Sequence, residues 1–174
     1  MPKKLIPIVF LLFISFYVQA QHPAVGVNNQ DRVGMTISLH QSQWGFLIPY
    51  WLTDRFVVTP VLGFVYFQKD KLDATVGIAT RHYLKIDDIS YYFGFRVGSM
   101  LLVPASEEEL DNEVRSDLFA GATFGIEYFF ARQFSVGMEL QGSFIQSDER
   151  SMRFNNPGGF GFELAPVIMA TFYF

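Results

Sequence analysis

Apolar and polar residues alternate with a period of two through most of this sequence, most plainly at its end. Phe160, Phe162, Leu164, Ile168, Phe172 and Phe174 all share one parity. Successive side chains of a strand point to opposite faces, so these six line one greasy face. The same alternation predicts eight strands, near residues 32–41, 43–51, 56–67, 73–85, 90–103, 116–130, 134–147 and 160–174. The connections Thr53-Asp54-Arg55, Ile86-Asp87-Asp88 and Ala131-Arg132-Gln133 are tight. They alternate with a short one near 41–43 and with longer ones at 68–72, 104–115 and 147–159. Short turns on one side and mostly longer loops on the other predict an all-β, eight-stranded antiparallel up-and-down transmembrane β-barrel. An even strand number would place both termini on the periplasmic side.

A soluble eight-stranded barrel shows the same alternation with its faces reversed, and the glycines separate the two. Gly34, Gly45, Gly63, Gly77, Gly94, Gly98, Gly121, Gly125, Gly137 and Gly161 share the polar parity of their strands; Gly142 does not. An eight-stranded interior is only wide enough for side chains to fill, so small residues are needed inside. A solvated face has no such need, and glycine weakens strands. Charge agrees: within the strands the polar parity carries few ionisable groups, among them Arg81, Arg96, Asp117, Glu127, Glu139 and Glu163, sparse for a soluble surface. The other parity offers Met35, Ile37, Leu39, Phe46, Ile48, Phe93, Phe95, Phe124, Ile126, Met138 and Leu140, a band suited to lipid.

Five of the inward charges should therefore meet in a narrow lumen. Arg81 and Glu127 fall near tight turns, Arg96 and Glu139 near mid-barrel, and Glu163 nearer the outer mouth. A buried charge without a partner costs several kcal/mol. An ion-pair network is expected, Arg96 with Glu139 among it, closing the lumen to conduction. Pro60 and Pro166 sit on the outward parity inside strands, where a missing N–H leaves a gap in the ladder. Bulges are expected at both.

Residues 1–20 read as a cleaved signal peptide. Lys3 and Lys4 precede an apolar run from Leu5 to Val18, and Val18 and Ala20 form a small-residue site cut between Ala20 and Gln21. The run contains Pro7 and is shorter than the roughly 20 residues a spanning helix needs. Residues 21–31 form a short polar periplasmic lead-in, and 32–174 the barrel. The absence of cysteine excludes disulfides, thiolate metal sites and a lipid-anchored N-terminal Cys. The formal charge of −4 becomes more negative when Lys3 and Lys4 leave with the leader. An acidic chain without a basic patch excludes nucleic acid as a partner.

Two hairpins echo each other: Tyr50-Trp51-Leu52-Thr53-Asp54-Arg55-Phe56 and Tyr128-Phe129-Phe130-Ala131-Arg132-Gln133-Phe134. Aromatics bracketing a turn would anchor the barrel edge at headgroup level. Over residues 25–174 the chain resembles the small OmpX- and OmpA-like outer-membrane barrels, especially their porin-family "outer membrane protein beta-barrel domain" relatives. Pro49 to Phe56 is similar to that family's aromatic-Leu-Thr-Asp turn, and Arg81-His82-Tyr83-Leu84 to its Arg-aromatic-aromatic strand end. Phe172, Tyr173 and Phe174 resemble the terminal signal read by the barrel-assembly machinery. The resemblance implies a Gram-negative outer membrane, contact with its lipid and lipopolysaccharide, and a monomer.

Some barrels of this size modify lipids. The lipid A deacylases, on a similar fold, use a His-x-Ser pair on the lipid face. His40-Gln41-Ser42 has that spacing, but His40 falls on the inward parity, and His82 lies near a tight turn. The acidic run Glu107 to Glu113 could offer oxygens to Ca²⁺ or Mg²⁺. It lacks the glycine-punctuated pattern of a calcium loop and reads as solvated. The expectation is a non-enzymatic barrel without catalytic, cofactor or metal site, its lumen plugged, acting structurally or in surface interaction. A lipid-modifying enzyme on the same barrel and a lipocalin-like soluble binder are the alternatives.

Overall fold

The computed structural model describes residues 29–40, 43–67, 71–104 and 114–174, with backbone alone at 65–67, 71 and 104. The leader, the Ala20–Gln21 site, Ser42 and the acidic run 107–113 lie outside the described residues. Within them the chain forms nine strands and no helix: β1 (Gly34–His40), β2 (Gln43–Leu47), β3 (Tyr50–Trp51), β4 (Phe56–Phe67), β5 (Lys71–Lys85), β6 (Ile89–Pro104), β7 (Arg115–Ala131), β8 (Phe134–Gln146) and β9 (Phe160–Tyr173). Apart from β2 and β3, neighbours in sequence pair antiparallel; β1 also pairs with β9, and β2 directly with β4. β2 and β3 are two pieces of one barrel strand, so the sheet is a closed eight-stranded antiparallel barrel.

The prolines explain the break between β2 and β3. The Pro60 carbonyl accepts the Ile48 N–H at 3.2 Å, so the Pro60 nitrogen faces Ile48 but has no hydrogen to return. The Pro49 carbonyl accepts the Gly34 N–H at 2.8 Å, so its nitrogen is equally mute toward β1. Ladder bonds are lost on both sides of Ile48–Pro49. The register nevertheless runs straight through, from Leu47↔Val61 to Tyr50↔Val58. Pro166 is handled differently. The Phe174 N–H donates to Val33 and the Tyr173 N–H to Gln133, so even-numbered amides of β9 face β1 and odd-numbered ones β8. The hydrogen missing at Pro166 therefore falls one step past His40, where β1 ends opposite Val167. The expected bulges at Pro60 and Pro166 are absent. Register shifts occur instead at Tyr83/Lys85 and Phe129/Ala131, beside tight turns.

Parity sorts the two faces as the pattern requires. Phe95, Met138, Phe144 and Phe162 are 61–67% exposed on the outside, while Thr36, Ser38, Arg81, Glu127, Ser135, Glu139 and Thr171 are buried inside. A soluble barrel has the opposite distribution. Aromatic contacts gather outside the tight turns, with His82 against Phe93, Tyr128 against Phe130, and Phe172 against Phe174. At the 86–88 turn Lys85 Nζ lies 2.8 Å from Asp87 Oδ2. That hydrogen bond, with the Asp88 N–H, holds the exposed Asp87 carboxyl below its ordinary range; such surface pairs add little stability.

Bare inner wall is needed where large rings enter the lumen. The Tyr92 ring lies against Gly125, so a Cβ at that position would collide with it. Gly161 has open space around the same atom. Gly125→Val is expected to lower stability by about 1–3 kcal/mol, as overpacking does, while Gly161→Ala leaves it unchanged. Urea midpoints of the barrel folded in micelles, read by heat-modifiable gel migration, check both.

Candidate functional site in the barrel lumen

The lumen is closed at the turn end by rings. Trp51, Val57, Tyr83, Tyr92, Phe129 and Tyr173 form one buried cluster. Trp51 stacks on Tyr83 with centroids 4.8 Å apart, and Phe129 lies 6.1 Å from Tyr173. Glu127 sits fully buried against this floor. Its carboxylate accepts from Tyr83 Oη at 2.5 Å, Tyr173 Oη at 3.1 Å and Ser135 Oγ. Three hydroxyl donors to one carboxylate are charge-assisted bonds, the strong kind. They stand in for the cation that a buried carboxylate otherwise requires.

The lead-in to β1 covers the floor from outside. The Arg32 guanidinium lies 4.8 Å over the Tyr173 ring. It also donates to Asn29 Oδ1 at 2.6 Å and to the Arg132 carbonyl. The Asn29 N–H reaches Asp54 Oδ1 at 2.9 Å. Residues 29–32 are thereby tied across two tight turns.

Above the floor lies an ion pair. Arg81 Nε approaches Glu139 Oε2 at 3.4 Å, both side chains almost wholly buried. Glu139 also accepts from Tyr92 Oη at 2.8 Å and Gln141 Nε2 at 2.7 Å. Arg81 packs 5.0 Å from the Tyr92 ring centroid and donates through Nη2 to Met169 Sδ at 2.9 Å. Next comes a chamber of about 50 Å³, its walls including Ser38, His40, Gln43, Arg81, Arg96 and Glu139. Arg96 lies 4.5 Å over the Phe119 ring. His40 Nε2 is 4.0 Å from Glu163 Oε1.

The loop end has its own network. Arg153, from the 147–159 connection, reaches Asp73 Oδ2 on β5 at 2.8 Å and Asp117 Oδ2 on β7 at 3.1 Å. Ser151 Oγ and the Asp148 N–H donate to the same Asp117 carboxylate at 2.8 and 2.9 Å. One guanidinium thus bridges two strands on the barrel wall and draws its loop across the mouth.

The five charges singled out from parity all belong to the inner face, but their partners differ from the expected ones. Glu139 takes Arg81 rather than Arg96, and Arg96 stacks on Phe119. Glu127 takes hydroxyls rather than an arginine, and Glu163 lies 4.0 Å from His40 and within electrostatic reach of Arg96. The echoed hairpins each send one ring inward, Trp51 and Phe129, instead of keeping every aromatic at the rim. Tyr173 likewise points inward between Phe172 and Phe174. Parity could have found the floor, since Tyr83 shares its phase with Arg81 and Tyr92 with Arg96. Arg153 carried no such signal, because loops have no parity. The His40 side chain is turned to the lumen and not to the outer face that a lipid would touch, whereas His82 is outside against Phe93.

The architecture is that of the small OmpA/OmpX-like outer-membrane barrels: a closed eight-stranded antiparallel sheet with an apolar exterior and a polar lumen. Among solved structures the chain is similar to the N-terminal β-barrel domain of Pseudomonas aeruginosa OprF, with a TM-score of 0.58 at 14% identity, over 85% of this chain and 100% of that domain. At that identity the likeness speaks for the fold. No protein-family model and no curated protein sequence matches.

Two outcomes test the lumen contacts. Arg81→Met should cost about 3–5 kcal/mol by leaving a buried carboxylate without its cation, and Arg81→Met/Glu139→Met should recover much of that in a urea double-mutant cycle. Arg153→Met should free the 147–159 connection, seen as faster trypsin cleavage after Arg150, with the barrel's urea midpoint moving much less.

Proposed function

We propose that this protein is a non-enzymatic barrel of the bacterial outer membrane, its lumen plugged by side chains and both termini on the periplasmic side. Its role is structural or one of interaction at the cell surface. The observation that carries the reading is the inversion of faces: large apolar side chains outside, carboxylates and guanidiniums inside. Each large apolar side chain moved out of water contributes about 1.5–3 kcal/mol, and lipid is the surrounding that supplies this around a closed sheet. The plug is supported by the aromatic floor, the Arg81–Glu139 pair and the Arg153 bridge, stacked along one lumen. The fold likeness to the OprF domain adds support for the location. Phe172, Tyr173 and Phe174 would then serve as assembly signal, with lipopolysaccharide and the assembly machinery as partners of a monomer.

Fractionation of expressing cells should recover the chain in outer membranes, released only by detergent, and planar-bilayer recordings should show no steady open channel. Recovery from the soluble periplasm would overturn the location, and a large steady conductance would overturn the plug. Lipid A from the same cells should keep its acyl pattern; a mass shift abolished by His40→Ala would make the protein an enzyme.

A further inference from the structure

Within the plugged lumen, a reading on which this inference rests, we propose a dead-end pocket entered from the loop end and closed below by the aromatic floor. It binds one small uncharged solute, whose carbonyl or hydroxyl oxygen accepts from Arg81. Charge decides that the solute is neutral. Arg81 is attracted to Glu139 and Glu127, and Arg96 to Glu139 and Glu163. The guanidiniums are thus balanced by carboxylates, and bringing a further charge into so narrow an interior is unfavourable.

Attraction between charges does not by itself complete a hydrogen-bond set. Arg81 is only 2% exposed, and its Nη2 is spent on Met169 Sδ. Its Nη1 has no hydrogen-bond acceptor among the described residues, and its Nε lies 3.4 Å from Glu139 without hydrogen-bond geometry. The oxygens of Glu139 are held by Tyr92 and Gln141. His40 Nε2, another group of the chamber wall, also has no hydrogen-bond partner among the described residues. A buried donor left unmade costs about 1–3 kcal/mol. An uncharged oxygen supplies the missing acceptor and leaves the charge balance intact.

Access comes from one end. Exposure of the side chains falls from 30% at Glu163 and 22% at His40 to almost nothing at Arg81, and the rings of the floor are fully buried. The wall is low beside His40. Pairing of β1 with β9 ends at His40 and Val167, while β9 runs on to Phe160. Gly161, on the inward parity of that overhang, has open space where a Cβ would stand. The chamber of about 50 Å³ admits a solute of roughly three to five non-hydrogen atoms, since about 10–15 Å³ on this measure holds one water.

The chain has no cysteine, so single-cysteine variants of the detergent-folded full chain give the test. Iodoacetamide and iodoacetate are nearly equal in size and differ in charge. With either, the thiolate sulfur bonds to the CH₂ carbon as iodide leaves, and the ratio of the two rates at one site cancels the thiol's own ionisation. Ser38→Cys, in the chamber wall, should react in the folded barrel. It should favour iodoacetamide about tenfold more than the exposed Met152→Cys does. Excess acetamide should slow alkylation at Ser38→Cys and not at Met152→Cys, and that protection should vanish when Arg81→Met/Glu139→Met is added. An inert Ser38→Cys, a preference for iodoacetate, or protection that is missing or survives the loss of Arg81 would each overturn the pocket and leave the plug standing. Ser135→Cys, at the floor beside Glu127, should stay unreacted until the barrel unfolds; equal reactivity there would overturn the plug as well. If Ser38→Cys does not fold, Gln141→Cys in the same wall takes its place.

Discussion

Closing eight strands into a barrel leaves an interior about as wide as the side chains that enter it. Polar groups on the inward face therefore cannot reach bulk water and must satisfy one another. The lumen answers in three ways at three heights. At the turn end Glu127 is met by hydroxyls held on aromatic rings. In the middle Glu139 is met by a guanidinium as well as a tyrosine. At the loop end Asp73 and Asp117 share the one guanidinium of Arg153. Tyr92 links the first two levels, its ring in the floor cluster and its hydroxyl on Glu139. The bare wall at Gly125 is what gives that ring its place.

Much of this was legible in the sequence because period two is a strong constraint in a closed sheet: one phase faces the surroundings and the other the lumen. The strand spans and the inward set of charges followed from phase alone. Partner choice did not. Phase says that Arg81, Arg96 and Glu139 share a face, but which pair meets depends on strand stagger around the barrel, a property of the closed sheet. The floor rings were hidden for another reason: Trp51 and Phe129 lie in runs of consecutive aromatics, where composition masks the alternation. Arg153 illustrates a third limit, since a connection without regular backbone gives no periodic signal for where its side chains go.

The prolines show how a ladder tolerates missing donors. At Ile48–Pro49 the loss is concentrated opposite Pro60, so strand geometry lapses for two residues while register holds on either side. At Pro166 the gap falls where the neighbouring strand stops. Neither site needs an inserted residue, and the lumen-facing phase of both strands is preserved. A bulge would have turned inward side chains outward beyond it.

The seam between β1 and β9 differs from every other junction in one respect. The other strand pairs join segments close in sequence, whereas Thr36 and Thr171 touch across the seam at a separation of 135 positions. Loop-closure entropy grows with the logarithm of that separation, adding about 3 kcal/mol over a tight hairpin. High contact order also slows formation. The hairpins can therefore zip early into an open, curved sheet, and the seam forms last. Until it does, two strand edges stand unpaired at once, and the lumen contacts that span β1 and β9 cannot begin to hold.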